Sequence, residues 1–209
     1  YYQEIGRAGR DGAPAETLTL FGPDDIRLRR GQIDEGLAPP ERKAADHARL
    51  NALLGLAESP SCRRVALLGY FGESSMPCGN CDICDDPPET FDGTQAAQKV
   101  LSAVLRTGES YGAGHVIDVL LGNATDRIRA RGHDRLPTFG VGRDLPRAEW
   151  QAIVRQMLGR DLIRPDPERH GGLAITAAAH AVLRGETRVT LRRDLVKRAA
   201  LSVVVRTQV

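Results

Sequence analysis

Four cysteines lie close together in the sequence with the spacing C-x15-C-x2-C-x2-C, at Cys62, Cys78, Cys81 and Cys84. Four thiolates close a tetrahedral metal site, and two-residue gaps let the backbone curl so that the sulfurs converge. Because four protein sulfurs leave no position for water, we predict a structural zinc ion. An iron–sulfur cluster is the main alternative, since C-x2-C-x2-C also occurs in ferredoxin-like sequences. Four unrelated reduced cysteines are the other alternative.

A second string, QEIGRAGRDG from Gln3 to Gly12, places two arginines three residues apart between glycines. Arg7 and Arg10 could project together, and two guanidinium groups aimed at one point suit the charge that develops on a transferring γ-phosphoryl group. A glycine- and arginine-rich string alone is more often a surface loop or an RNA-binding patch. Gln3 in front of it favours the catalytic interpretation.

The composition indicates the class of protein that carries these motifs. The 209 residues are 41% hydrophobic and 27% charged, as in a globular protein of one or two domains. No apolar run reaches the roughly 18 residues of a membrane span, so none is expected. The chain begins without Met or a signal peptide, and we expect it to be a fragment of a longer protein.

Charge is uneven along the chain. The formal net charge is +2, but residues 73–92 carry −6, which leaves +8 for the remainder. Of the 29 basic residues, 26 are Arg. This bias reflects either a GC-rich genome or the suitability of Arg for bidentate contacts to phosphate and carboxylate. The basic C-terminal half weakly indicates a polyanionic partner.

The first 93 residues predict short elements around the two motifs. Residues 16–21 alternate as a short strand, and a break at Gly22 starts a helix. Residues 41–71 predict a hairpin of two helices, the first burying Leu50, Leu53, Leu54 and Ala57. Ser59 is predicted to cap the second helix and to place Cys62 in its first turn. An acidic loop over 72–93 follows.

Residues 94–192 predict a separate domain. Three helices, starting near Thr94, Gly114 and Pro146, are followed by strands over 161–164 and 172–175 and by a helix from Thr176 to Leu183. This order is that of a winged helix-turn-helix. Trp150 is predicted to lie in its core, and His133 is predicted to be a hydrogen-bonded structural residue.

Three strings together resemble one known family. QEIGRAGRDG is similar to motif VI of superfamily 2 helicases, and YYQEIGRAGRDG resembles the form found in the RecQ family. The stretch CRR…FGE…PCGNCDIC resembles the RecQ zinc-binding subdomain, and GHD…GVGRD over 132–144 resembles the RecQ winged helix. The three motifs occur in the family order, and the resemblance runs from residue 1 to about 192.

The resemblance implies a mainly α fold with short strands, in which a zinc-stapled helical hairpin precedes a winged helix-turn-helix. We expect four parts: the end of a second RecA-like lobe (1–40), a four-cysteine zinc-binding helical subdomain (41–93), a winged-helix DNA-binding domain (94–192) and a basic linker or tail (193–209). It also implies an ATP-driven 3′→5′ DNA helicase of repair, recombination and replication, with ATP and Mg²⁺ as cofactors of the full-length enzyme.

The chain has no G-x-x-x-x-G-K-[ST] string, so we expect it to be inactive alone. Its expected share of the ATPase site is an arginine finger, Arg10, with Arg7 as partner and Gln3 as a positioning group. The winged helix is expected to grip duplex or forked DNA without reading its sequence. The candidate contacts are Thr125, Arg127 and Arg129 in the loop after the second helix, Arg143 and Arg147 before the Trp150 helix, and Arg169 and His170 at the hairpin tip.

Other functions stay open at this point. One is a stand-alone zinc and winged-helix module that binds proteins, or DNA, without helicase activity. Another is a sequence-specific repressor that reads bases from the outward positions Arg147, Gln151, Arg155 and Gln156. The helicase interpretation implies a bacterial-type cytoplasmic, nucleoid-associated location and a single-stranded-DNA-binding protein as a further partner, and it leaves the oligomeric state undefined.

Overall fold

A computed structural model describes residues 1–166, 172–193 and 205–208 of the chain. The helices are, in chain order, α1 Tyr2–Ile5, α2 Pro23–Glu35, α3 Pro40–Glu58, α4 Arg63–Tyr70, α5 Asp82–Asp85, α6 Thr94–Arg106, α7 Ala113–Leu121, α8 Asp126–Ala130, α9 Arg147–Gly159 and α10 Ala177–Leu183. The strands are β1 Glu16–Thr19, β2 Thr90–Asp92, β3 Ile163–Asp166, β4 Gly172–Ile175, β5 Thr190–Arg192 and β6 Val205–Gln208. The predicted fold class, mainly α with short β, is confirmed.

The chain divides into two compact units. Unit 1 takes in residues 1–89 and strand β6, and unit 2 takes in residues from Thr90 to the end of the described segment at Arg193. The four-part division expected from the sequence stays a prediction. In the described residues, no helix is both long and apolar enough to cross a membrane.

Unit 1 is built on the predicted hairpin of α3 and α4, with differences at its ends. Cys62 is the N-cap of α4 and not a first-turn residue, because Ser59 ends α3 and α4 begins only at Arg63. On the predicted buried face of α3, Leu54 and Ala57 are buried, whereas Leu53 is 36% exposed; Leu56 is buried in addition.

The ends of unit 1 also differ from expectation. Residues 2–5 form the short helix α1, which the sequence did not predict. Strand β1 pairs antiparallel with β6, from Glu16 opposite Gln208 to Thr19 opposite Val205. The sequence did not predict β6, which has no pattern beyond a short run of β-forming residues.

Unit 2 has the predicted order of helices followed by a hairpin. Helices α6, α7 and α9 bury one continuous apolar core, and β3 pairs with β4 antiparallel. Trp150 is fully buried in this core, as predicted, and its Nε1 donates to the carbonyl of Gly142 at 2.8 Å. Its indole N–H therefore has the partner that burial demands.

A small ribbon that the sequence did not predict closes unit 2. Strand β2 pairs with β5, with Thr90 opposite Arg192. The amide of Gln156 donates to the Arg192 carbonyl at 2.9 Å and accepts from its N–H at 2.8 Å. Gln156 is 1% exposed, so its expected outward position on α9 is wrong. Thr94 is the first residue of α6, where the sequence predicted the helix to start, and its hydroxyl accepts from the Val189 N–H.

Candidate metal centre and nucleic-acid interface

The fold of unit 1 brings the four cysteine sulfurs together. All four Sγ atoms lie within 4.8 Å of one another. The separations are 3.5 Å for Cys62–Cys78 and 4.0 Å for both Cys78–Cys84 and Cys81–Cys62. A zinc ion with Zn–S bonds of about 2.3 Å in a tetrahedron needs sulfurs about 3.8 Å apart. The donor set and its spacing therefore fit a structural zinc.

Backbone groups favour ionisation of the Cys62 sulfur, whereas burial and the neighbouring sulfurs of Cys62 and Cys81 raise the pKa of the Cys78 thiol to about 12. Burial opposes the charge on Cys62, but N–H groups that include those of Val65 and Cys78 point at its sulfur and lower its pKa to about 6. The Cys78 N–H lies 3.2 Å from Cys62 Sγ, and the Arg63 N–H lies 3.5 Å from Cys81 Sγ. Such N–H···S contacts stabilise thiolates, which are the form that binds metal.

A buried arginine connects the segment that carries Cys78, Cys81 and Cys84 to the hairpin of α3 and α4. The Arg63 side chain is 3% exposed and grips Asp82 through Nε at 2.9 Å and Nη2 at 2.8 Å. Its Nη1 donates to the carbonyls of Leu56 at 2.5 Å and Ala57 at 3.1 Å, near the end of α3. Arg63 follows one cysteine and Asp82 follows another, so the pair fixes both halves of the metal site.

The three candidate residues of the string QEIGRAGRDG line one cavity of about 680 Å³ in unit 1, which we call the arginine cavity. Gln3, Arg7 and Arg10 are all exposed, and they share this cavity with Arg63 and Arg64. Arg10 Nε donates to the Gly6 carbonyl at 3.3 Å, while Arg7 forms a solvent-exposed pair with Glu4 at 3.6 Å. Because Arg63 is engaged with Asp82 and with carbonyls of α3, the guanidinium groups of Arg7, Arg10 and Arg64 are the ones that make this cavity suited to a phosphate group.

In unit 2, the segment after α7 is a helix and not the expected loop. Thr125 is the N-cap of α8, and its hydroxyl accepts from the Ile128 N–H at 3.3 Å. Arg127 and Arg129 are exposed on α8, with the Arg129 guanidinium 3.4 Å from Asp126. The buried Ile128 anchors this short helix, so both arginines project from a fixed backbone.

An aromatic cluster that the sequence did not reveal lies beside α8. The ring of Tyr111 stacks on His115 with centroids 4.0 Å apart, and His133 packs edge-on at 4.9 Å. His115 Nε2 and His133 Nδ1 share a hydrogen bond of 2.8 Å, so His133 is hydrogen-bonded as predicted. The Arg127 guanidinium lies over the Tyr111 ring, 5.2 Å from its centroid.

The pKa values of both histidines in the cluster are lowered. Burial, followed by the charges of His133 and Arg127, lowers the pKa of His115 to about 4. Burial and Arg131 also lower the pKa of His133. The i, i+4 spacing of Tyr111 and His115 was the one available sequence signal for this contact, but Tyr111 lies outside α7, where that spacing has no fixed meaning.

Arg143 and Arg147 are exposed at the entry to α9, and both contact α7 or its C-cap. Arg143 Nε donates to the Leu121 carbonyl at 3.3 Å, and its guanidinium fills a slot at Gly122, where an added Cβ would lie 2.5 Å from Nη2. Gly122 has a φ of +72°, which favours glycine there. Arg147 forms an ion pair with Asp118. Arg169 and His170 lie outside the described residues.

Two known domain families match the chain in the order of its units. The RecQ zinc-binding family matches residues 23–85, and the RQC domain family matches residues 87–200. The first match contains all four cysteines, which favours zinc over an iron–sulfur cluster. The second covers more than half of the chain and includes α6 to α10.

Whole-chain relatives agree with these matches. The chain is 41% identical over 188 residues to the ATP-dependent DNA helicase RecQ of Haemophilus influenzae, covering 89% of this chain and 30% of that protein. The protein of the same name from Pasteurella multocida is 39% identical over 91% of the chain, and that from Bacillus subtilis is 32% identical over 97%. The chain spans 30–34% of the length of these relatives. The chain therefore belongs to the RecQ family, whose zinc-binding and RQC domains it carries.

Proposed function

We propose that this chain is the DNA-gripping part of an ATP-dependent 3′→5′ DNA helicase that acts in repair, recombination and replication. The observation that carries the ATP-dependent helicase part of the proposal is the shared position of Gln3, Arg7 and Arg10 on the arginine cavity. An arginine finger works only where its guanidinium can reach the γ-phosphoryl group, so the residues of such a string must face one space. The names of the relatives support the same activity.

In this proposal Arg10 is the finger, Arg7 its partner and Gln3 a positioning group. ATP and Mg²⁺ would be held by a phosphate-binding loop that this sequence lacks, so catalysis belongs to the full-length enzyme. The four cysteines hold a structural zinc that fixes the loop against α4. The zinc takes no part in ATP hydrolysis, since four thiolates leave it no open position.

The test of this part is Arg10→Ala in the full-length enzyme. Loss of a finger lowers turnover by about three to five decades, while nucleotide binding is largely kept. Arg42→Ala is the matched control, because Arg42 is an exposed arginine of α3 that does not line the arginine cavity. Normal DNA-stimulated ATPase in the Arg10 variant would reject the assignment.

Unit 2 is proposed to bind DNA through the phosphates of the DNA backbone. Thr125, Arg127, Arg129, Arg143 and Arg147 are exposed on α8 and at the entry to α9. Arg169 and His170 are proposed as further contacts from the hairpin. Contacts of this type hold phosphates and carry no base information, which suits an enzyme that must accept any duplex.

A salt titration tests the DNA proposal directly. Four to six phosphate contacts predict a slope of log K against log salt of about −3.6 to −5.4. Forked, blunt and unrelated duplexes should compete within a narrow range of affinity, whereas a repressor would prefer one sequence by several decades. A slope near zero would reject DNA binding and favour a protein-interaction module.

A helicase that acts at a DNA fork is expected to lie on the chromosome and beside a protein that binds the separated strands. The proposal includes a cytoplasmic, nucleoid-associated location and a single-stranded-DNA-binding protein as partner. Co-purification of DNA and of that partner with the full-length protein from cell extract, with and without nuclease treatment, tests both.

A further inference from the structure

We propose that Tyr111 is a positioning residue for DNA binding: its ring holds the guanidinium of Arg127 ready for a backbone phosphate. This inference rests on the proposed DNA-binding function of unit 2 and adds to it a residue that does not itself touch DNA. It also explains how one exposed arginine of α8 can be oriented without a carboxylate partner.

The first argument is the geometry of the ring stack. The Arg127 guanidinium lies 5.2 Å from the Tyr111 centroid, within the range of a cation–π contact. His115 stacks on Tyr111 at 4.0 Å with an angle of 20° between the planes, and the His115–His133 hydrogen bond of 2.8 Å fixes that imidazole in turn. The hydrogen-bonded pair of His115 and His133 therefore fixes the orientation of the Tyr111 ring.

The second argument is the backbone around Tyr111. Its carbonyl accepts from the Leu173 N–H of β4 at 2.9 Å. Two residues earlier, the Glu109 carboxylate accepts from the Ile175 N–H at 2.8 Å. A Cβ at Gly172 would lie 2.6 Å from the Ser110 carbonyl carbon, so the segment runs tightly along the strand. The ring thus projects from a backbone that is fixed to the base of the β3–β4 hairpin.

The third argument compares Arg127 with its neighbours. Arg129 contacts Asp126, and Arg147 contacts Asp118, so each gives some of its N–H groups to a carboxylate. In the described part of the chain, no carboxylate forms an ion pair with Arg127. A cation–π contact engages no carboxylate, and an arginine that stacks its planar face on a ring keeps its five N–H donors free around the edge. The Tyr111 contact therefore orients Arg127 and leaves its donors available for phosphate oxygens.

The experiment measures binding of a labelled blunt duplex by fluorescence anisotropy at several salt concentrations, with the whole chain. Tyr111→Leu removes the ring and should weaken binding about two- to five-fold, the range of an exposed cation–π contact. Tyr111→Phe keeps a ring over which the guanidinium can lie and should bind within two-fold of wild type. Arg127→Ala should reduce the salt slope by about 0.9, the share of one phosphate.

The decisive measurement is the double variant Tyr111→Leu/Arg127→Ala, which should bind no more weakly than Arg127→Ala alone. A merely structural role of Tyr111 would weaken binding whether or not Arg127 is present, so the two losses would multiply. Arg106→Ala is the charge control, an exposed arginine at the end of α6. Thermal unfolding followed by circular dichroism verifies that each variant is folded, and Tyr111→Met, which also lacks the ring, replaces Tyr111→Leu if that variant is not folded.

The outcomes separate the two levels of the proposal. If Arg127→Ala weakens binding but Tyr111→Leu does not, or if their effects multiply, the positioning role is wrong and DNA binding by unit 2 stands. If wild type itself shows a salt slope near zero, the proposed function fails and the positioning role fails with it.

Discussion

The buried Arg63–Asp82 pair offers the sharpest test of how the metal loop is held. Replacing Asp82 with Ala would leave the Arg63 guanidinium buried, with its three carbonyl partners on Leu56, Ala57 and Ser59 but no counter-charge. Removal of one partner of a buried pair leaves an uncompensated charge, which is far more costly than loss of an exposed pair.

The magnitude follows from the two bonds that disappear. The contacts of Asp82 with Arg63 Nε and Nη2, at 2.9 and 2.8 Å, are both charge-assisted. Each is worth about 1.5–3 kcal/mol, so their sum of about 3–6 kcal/mol agrees with the roughly 3–5 kcal/mol typical of a broken buried pair. At 1.4 kcal/mol per decade, local opening of the metal loop should increase by about two to four decades.

The assay is zinc release to a coloured chelator, measured alongside urea unfolding of the zinc-loaded chain. Asp85→Ala is the matched control, because Asp85 is an exposed carboxylate at the end of α5 and its loss should change stability by less than about 0.5 kcal/mol. Arg63→Lys keeps the charge but cannot form the bidentate contact with Asp82, so its rate of zinc release should fall between those of Asp85→Ala and Asp82→Ala. Zinc release from Asp82→Ala that matches Asp85→Ala would refute the reasoning.

Three further predictions concern the metal, the histidine cluster and the hairpin. Cys81→Ser should abolish stoichiometric zinc measured by plasma emission, while unit 2 keeps its melting transition; iron with visible absorbance in wild type would contradict a zinc site. His115, with its pKa lowered to about 4 from 6.5, binds a proton less tightly when folded than when unfolded. The stability of unit 2 should therefore be complete above about pH 6.5 and fall towards pH 4; a thermal midpoint that falls no more than that of His115→Phe would oppose this. Gly172→Ala forces a Cβ within 2.6 Å of the Ser110 backbone and should lower the free energy of unfolding by about 1–3 kcal/mol. Gly114→Ala is the control, because the space around Gly114 is open, and it should be neutral or slightly stabilising. Equal urea midpoints for the two variants would contradict the clash.

Local patterns predicted much of unit 2. The apolar spacing of the three helices and the core position of Trp150 were predicted, because periodicity is encoded within a few residues. The ribbon of β2 and β5 could not be found in this way. Its strands have three residues each and their partners lie about 100 residues apart, so pairing depends on the finished core.

Polar residues account for most of the remaining differences. Gln156 was placed on the outer face of α9 because glutamine is usually exposed, yet its amide is buried as the partner of Arg192. The cysteine spacing pointed to a metal site from the sequence alone, and the structure brings the four sulfurs together. The partners of arginines could not be predicted, since the Arg63–Asp82 and Arg147–Asp118 contacts join residues that only the fold makes neighbours.

The β2–β5 ribbon has a consequence for how unit 2 could be moved between proteins. Because Thr90 lies opposite Arg192, the chain enters and leaves the unit side by side, at the roughly 5 Å spacing of paired residues. Joining these ends by a short turn, or placing them in a surface loop of another protein, would require little loop-closure entropy. Residues 90–192 should therefore tolerate circular permutation and insertion into a host loop, and a pull on both ends would open the ribbon one hydrogen bond at a time.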